Sequence, residues 1–351
     1  MSRIYIITGG AGHLGNTIAR RLVRDGKKVR VFVLPTERTE GVLDEEVEIV
    51  RGDIRDKASI EPLFANTAGK KVYVIHTAGI VTISSKFIKS VYDVNVTGTK
   101  NIVEACEKHK VEKLVYISSV HAIPEKAKGE TISEVNDFNK EKLVGLYAQT
   151  KAEATAAALA AAKRGLNVSV VHPSGIIGPY DYGHGHMTQL IVDYMNGRLT
   201  AAIKGGYDFV DVRDVAAGTI ECCEKGRAGE CYILSNRYVE VKEMLNTVHE
   251  ITGKKKITLY LKLWFVKSVA PLCEAYYKML RQTPLFTAYS IYTLGSNSLF
   301  SHEKATRELG YRPRPLEESL RDGVEWLAKE GRIKYPADKR TARRAKKDDL
   351  A

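Results

Sequence analysis

The chain has 351 residues, 44% hydrophobic and 27% charged, the composition of a folded globular protein; intrinsic disorder, collagen-like repeats and low-complexity architecture are excluded. No run of 18 apolar residues occurs, so no membrane-spanning helix is expected. The net charge of +12 is not by itself a nucleic-acid footprint: residues 332–351 hold eight Lys/Arg against three acids, a basic tail read as a solubilising, disordered terminus. No specific nucleic-acid partner is expected.

In chain order, β-branched strand runs at 4–8, 29–34, 47–51, 73–77, 113–118 and 167–172 alternate with helical periodicity, for example at 15–25 and 94–108. That rhythm predicts an α/β protein with a Rossmann-type, doubly wound parallel sheet. The first strand begins with no charged n-region or cleavage site before it, so no signal peptide is expected. Residues 1–173 form the predicted dinucleotide-binding domain, with 208–236 returning to it through strands at 208–212 and 231–235. Residues 174–207 and 237–331 form a smaller, mainly helical substrate-binding region, including a helix at 187–196. Five cysteines (Cys106, Cys222, Cys223, Cys231, Cys273) without CxxC spacing point to free thiols and a reducing, cytoplasmic setting.

Thr8-Gly9-Gly10-Ala11-Gly12-His13-Leu14-Gly15 follows the first strand and opens a helix. A pyrophosphate touching backbone amides at a helix N-terminus needs glycine, because a side chain would block it. Gly9, Gly12, His13, Leu14 and Gly15 are therefore assigned to the cofactor. The second strand ends in Val33-Leu34-Pro35-Thr36. An acid there would bind the adenosine ribose of NAD; its absence leans towards NADP(H), with Thr36 and Arg38 as phosphate contacts.

Tyr147 and Lys151 are spaced four apart, one helical turn on one face. A lysine cation beside a phenol is expected to lower its pKa from about 10, making Tyr147 a general acid/base at a carbonyl.

These motifs make the chain resemble the extended short-chain dehydrogenase/reductases, the NAD-dependent epimerase/dehydratase family, over residues 3–330. The resemblance includes Gly52-Asp53-Ile54, His76-Thr77-Ala78-Gly79, Asn95–Thr99, Ile117-Ser118-Ser119, His172-Pro173-Ser174-Gly175 and Asp208–Ala216. It implies that Asp53 and Ile54 hold adenine, Ala78 and Gly79 line the cofactor, and Pro173 and Ser174 flank the nicotinamide. Ser119 would bind the reacting oxygen, while Lys151 would hold the nicotinamide ribose and tune Tyr147. A homodimer through the Ala-rich helix at 152–162 is expected. Asn95 and Ser118 also carry structural readings, and Asp214 reads as a helix cap or structural anchor.

The sugar-nucleotide epimerases of this family use an Asn and an Arg at the positions of His172 and Tyr207. Without the arginine clamp a diphosphate loses a charged bidentate contact. The chain looks more like the dihydroflavonol reductase and 3β-hydroxysteroid dehydrogenase branch, partly through 281–287 and 300–313. The expected activity is NAD(P)-dependent hydride transfer between nicotinamide and a secondary alcohol or ketone of a hydrophobic, ring-containing molecule. The alternative is a redox-neutral epimerase or dehydratase holding NAD tightly; a non-catalytic nucleotide sensor is a third reading. His121, Tyr180, Tyr182, Met187 and Tyr207 are the candidate substrate-pocket residues. No metal site is assigned to His184-x-His186. Residues 259–280 read as amphipathic helices covering the pocket, with peripheral membrane contact the less favoured reading.

Overall fold

The computed structural model describes residues 2–84, 86–268 and 288–335. Strands β1 (Arg3–Thr8), β2 (Lys28–Val33), β3 (Glu48–Arg51), β4 (Lys71–His76), β5 (Lys113–Ile117), β6 (Val168–Pro173) and β10 (Cys231–Leu234) form one sheet. Their order is β10-β6-β5-β4-β1-β2-β3, and every pairing is parallel. Side chains alternate between two cores. Ile4, Ile6, Val72, Val74, Leu114 and Tyr116 enter one, and Tyr5, Ile7, Tyr73, Ile75, Val115 and Ile117 enter the other. Burial on both faces explains why these strands read as continuous apolar runs.

Helices His13–Arg24 and Val212–Lys225 pack together on one face; Thr99–Lys108 and Leu146–Lys163 pack together on the other. The chain leaves β1 towards β2 and β3, then crosses back to β4 on the opposite side. The carboxyl ends of β1 and β4 therefore part at a topological switch point, where doubly wound sheets bind ligands.

One expected strand goes elsewhere. The run at 208–212 does not return to the main sheet: β9 (Gly206–Asp211) lies between β7 (Gly175–Ile177) and β11 (Arg237–Glu240) in a separate three-stranded sheet. All six residues of β9 are buried. A strand covered on both faces has the same sequence pattern whichever sheet it joins. The expected strand at 231–235 does join the main sheet, as β10.

β8 (Ala202–Ile203) and β12 (Tyr260–Leu261) form a small parallel pair. The predicted helix at 187–196 is His186–Met195, and the C-terminal region contains helices Val241–Thr252, Ala288–Gly295, Glu303–Leu309 and Leu316–Lys329. Asp214 is a structural anchor. Its carboxylate accepts Arg314 N–H at 2.7 Å and Nε–H at 3.0 Å, while Asp211 caps the helix. The four described cysteines are free and buried. Cys273, the 281–287 segment and tail residues 336–351 lie outside the described residues.

Candidate active site

The glycine turn at the end of β1 is shaped by close backbone approaches. Gly9 has φ +69°, and a Cβ there would lie 2.8 Å from the Ala78 backbone. A Cβ on Gly15 would lie 2.1 Å from the Gly9 carbonyl oxygen. Gly12 caps helix His13–Arg24 with no side-chain hydrogen bond, so no side chain competes for the leading amides. An uncapped N-terminus, with a cradle that side chains would fill, fits a dinucleotide pyrophosphate.

His13 and Arg38 each make a contact within the protein. His13 Nε2–H donates to Pro179 O at 2.8 Å, pinning the loop before Tyr180, and burial lowers its pKa. The exposed Arg38 guanidinium donates to Glu40 O at 3.0 Å within its own loop. Asp53 carries a bidentate hydrogen-bonded pair with Arg55, which holds its carboxyl below the usual range. Ile54 is buried beneath Gly98, whose Cβ would approach it to 2.5 Å. A Cβ on Gly79 would lie 3.4 Å from Lys151 Nζ, so a glycine keeps the space over the lysine open.

The candidate catalytic side chains come from the segment just after β5, which holds Ser119, and from the helix Leu146–Lys163. Gly145 starts that helix at φ +95°, and a Cβ there would strike the Tyr289 ring at 2.3 Å. One turn apart, Tyr147 and Lys151 are both buried. The Ser119 hydroxyl accepts His121 N–H at 3.2 Å and is the group that holds the Tyr147 phenol down against its burial. Lys151 Nζ donates to Ile117 O at 2.7 Å and sits 5.0 Å from the Tyr116 ring centroid. Burial and then the Lys151 charge push His76, at the end of β4, down to about 3.

The expected direction of tuning differs. Burial pushes Tyr147 up to about 12, moderated by Ser119 rather than by Lys151. Burial also pushes Lys151 down to about 7. Desolvation disfavours both charged forms, and here it outweighs their mutual attraction. Within the protein's own groups, Tyr147 is therefore a protonated acid at neutral pH.

The neighbouring polar residues are hydrogen-bonded within the protein. Asn95 accepts Ile80 N–H at 2.7 Å and donates to Ile80 O at 3.0 Å and Thr150 Oγ1 at 3.2 Å. Ser118 is buried 2.7 Å from Thr155 Oγ1. Ser174, next to Pro173 at the end of β6, donates to Asp208 Oδ1 at 2.5 Å. Desolvation raises Asp208 to about 6.

Beside Tyr147 opens a cleft lined by His121, Leu143, Tyr207, Tyr289, Phe300 and Ile132, among others. His121 Nε2 is 3.0 Å from Tyr207 Oη, and its Nδ1 is 3.5 Å from Tyr289 Oη. The imidazole meets the Tyr147 ring edge-on, with centroids 5.9 Å apart. Burial pushes His121 down to about 4, so it is neutral at physiological pH. His121 and Tyr207 thus meet on one cleft. Tyr180 and Tyr182 instead lie edge-on to Trp326, at 6.3 and 5.2 Å, and Met187 packs against the main core.

Sequence reasoning missed Tyr289, which sits in the apolar helix Ala288–Gly295 and carries no local signal. It also missed the role of His172. His172 Nδ1–H donates to the Ser119 carbonyl at 2.8 Å, and the ring stacks on Phe138 with centroids 5.3 Å apart. Fully buried, it braces the backbone at Ser119.

Residues 5–235 match the model of the NAD dependent epimerase/dehydratase family. Sterol demethylase protein B of Methylococcus capsulatus is 30% identical over 337 residues, covering 93% of this chain and 99% of that one. The 3beta-hydroxysteroid-dehydrogenase/decarboxylase isoform 2 of Arabidopsis thaliana is 26% identical over 355 residues, covering 92% of this chain and 62% of that one. The crystal structure of gox2253 is similar with a TM-score of 0.82 at 28% identity, covering 95% of this chain and 100% of that one.

Proposed function

The chain belongs to the NAD-dependent epimerase/dehydratase family, and from that premise we propose that it is an oxidoreductase. It interconverts a secondary alcohol and a ketone on a hydrophobic, ring-containing small molecule. The observation that carries this reading is the character of the cleft beside Tyr147. Aromatic and aliphatic walls surround a neutral imidazole, with Glu125, Lys142, Ser296 and Asn297 as its polar members, and no arginine lines it among the described residues. Lys142, on the lining, is paired with Asp137 at 3.2 Å. Such a surface suits an uncharged ring system and lacks the guanidinium clamp of a diphosphate site. Similarity to proteins named for sterol and hydroxysteroid chemistry supports the same class of substrate.

A bound nicotinamide dinucleotide supplies the hydride donor or acceptor. Its pyrophosphate is assigned to the Gly9–Gly15 turn, its adenine to the Asp53–Ile54 end, and its ribose hydroxyls to Lys151 beneath Gly79. The chain handles the proton. During reduction Ser119 Oγ and Tyr147 Oη both hydrogen-bond the ketone oxygen. As hydride adds to the carbonyl carbon, Tyr147 transfers its phenolic proton to that oxygen, giving the alcohol. Lys151, with one N–H committed to Ile117 O, holds the ribose in register and offers positive charge to the resulting phenolate. His172 keeps Ser119 aligned.

NADP(H) is the proposed cofactor of choice. Arg38 and Arg51 border the loop after β2 and form no carboxylate ion pair among the described residues; their guanidiniums bond loop oxygens. Glu37, whose carboxylate accepts Leu34 N–H at 3.1 Å, is the feature that favours NAD instead. We assign a homodimer through the Ala-rich helix and a cytoplasmic setting consistent with four free, buried cysteines. No helix among the described residues is long and apolar enough to cross a membrane.

The test is to denature purified protein, identify any released nucleotide, and follow nicotinamide absorbance with ring-containing ketones and NADPH or NADH. Exchangeable cofactor and net oxidation of NADPH are expected. Stoichiometric, non-exchanging NAD with no net redox change would move the assignment to a redox-neutral epimerase or dehydratase.

A further inference from the structure

The exposed surface formed by 253–268 is both strongly cationic and apolar. Lys254, Lys255, Lys256, Lys262 and Lys267 fall in this stretch, which contains no Asp or Glu. None of the five forms an ion pair among the described residues. β12 brings Lys204 into the same neighbourhood, through Lys204 N–H to Leu261 O at 2.9 Å. Between the lysines, Leu259, Trp264 and Phe265 are 55%, 65% and 43% exposed. Trp264 and Phe265 meet edge-on with ring centroids 6.0 Å apart, forming one protruding aromatic pair.

Of the pocket cover expected at 259–280, only 259–268 lies among the described residues, and none of it is among the residues lining the cleft beside Tyr147. In the helical stretch 263–268, Leu263 and Val266 pack with Ile203, Ile291 and Leu294. The opposite face carries Trp264, Phe265 and Lys267 to solvent. Among the described residues, the aromatic pair belongs to no buried cluster on the other side. Trp at a bilayer interface, flanked by lysines whose ammonium groups reach lipid phosphates, uses both components of that face.

We propose that 253–268 docks the protein peripherally on an anionic phospholipid bilayer, with Trp264 and Phe265 inserted at the headgroup level and the lysines on lipid phosphates. A second copy of this chain fits less well, because two such faces would oppose like charges. The docking helix packs on Ala288–Gly295, which carries Tyr289 of the cleft wall, so the bilayer would lie one helix away from the pocket. The docking itself stands on the charge and exposure of the surface and is independent of the assigned reaction.

The experiment is flotation of the full chain with phosphatidylglycerol/phosphatidylcholine vesicles and with pure phosphatidylcholine vesicles. It is paired with tryptophan emission from Trp326→Phe, which leaves Trp264 as the sole tryptophan. Binding to the anionic vesicles, release at high salt and a blue shift of Trp264 emission are expected. Trp264→Ser with Phe265→Ser, and separately Lys262→Glu with Lys267→Glu, should each lower partitioning about tenfold with an unchanged melting temperature. The proposal is overturned by absence of flotation, or by equal binding to pure phosphatidylcholine. It is also overturned if removal of 336–351 abolishes binding while Trp264→Ser/Phe265→Ser retains it, which would assign binding to the basic tail. A change of oligomeric state in the aromatic variant without vesicle binding would make the patch a contact between copies and overturn the proposal as well.

Discussion

The proposed cofactor side of the reaction centre is drawn from short consecutive runs. Gly9–Gly15, Ala78–Gly79 and the Tyr147–Lys151 turn each present their groups from one strand end or one helical turn. The proposed substrate side draws His121, Tyr207, Tyr289 and Phe300 from four separated segments. The first is governed largely by backbone chemistry, with glycines where a Cβ would collide and amides at a helix terminus. The second depends on which rings meet after packing. A backbone requirement leaves a compact sequence pattern, whereas a wall of packed rings can be assembled from any elements the fold brings together.

The largest expected effect falls where the two sides meet. Tyr147→Phe should lower kcat roughly a thousandfold by removing the transferable proton, while nucleotide affinity changes less than about twofold. Turnover and nucleotide titration check it, and near-parental turnover would remove Tyr147 from the mechanism. On the cofactor side alone, Gly15→Ala should weaken nucleotide binding about a hundredfold and lower stability by about 3 kcal/mol. The physical cause is the 2.1 Å approach of its Cβ to the Gly9 carbonyl. Calorimetric titration with denaturant unfolding reads both; unchanged affinity would mean the turn accommodates a side chain.

On the substrate side, His121→Leu should raise KM about tenfold, with nucleotide affinity retained, by removing the polar point among the rings. Since His121 lies near 4, its charge should contribute no inflection to the KM–pH profile between about pH 6 and 9. An inflection lost in the variant would show that His121 titrates in this range.

The smallest expected effect is a stability trend. Lys151 lies near 7 in the folded protein, below the ordinary lysine value of 10.5, so the unfolded chain binds more protons between those pH values. Its burial penalty is therefore full below pH 7 and fades as pH rises towards 10.5. The Tm of Lys151→Met, measured without nucleotide, should improve relative to the parent at about pH 6 and lose that advantage by about pH 10. A difference independent of pH would show that the buried amine keeps its ordinary pKa.

The sequence by itself determined the alternating α/β order, the dinucleotide turn and the Tyr147/Lys151 pair, because strand periodicity, glycine requirements and helical spacing are local. The motif resemblance chose Ser119 over Ser118, whose hydroxyl lies 2.7 Å from Thr155 Oγ1. Only tertiary structure decided that β9 leaves the main sheet, since a doubly buried strand carries no mark of its neighbours. It also decided that Tyr180 and Tyr182 pack on Trp326, that Tyr289 reaches His121, and that His172 braces Ser119. Burial, likewise, reversed the expected tuning of Tyr147. A phenol and an ammonium one turn apart can be read from spacing, but their desolvation depends on every element packed around them.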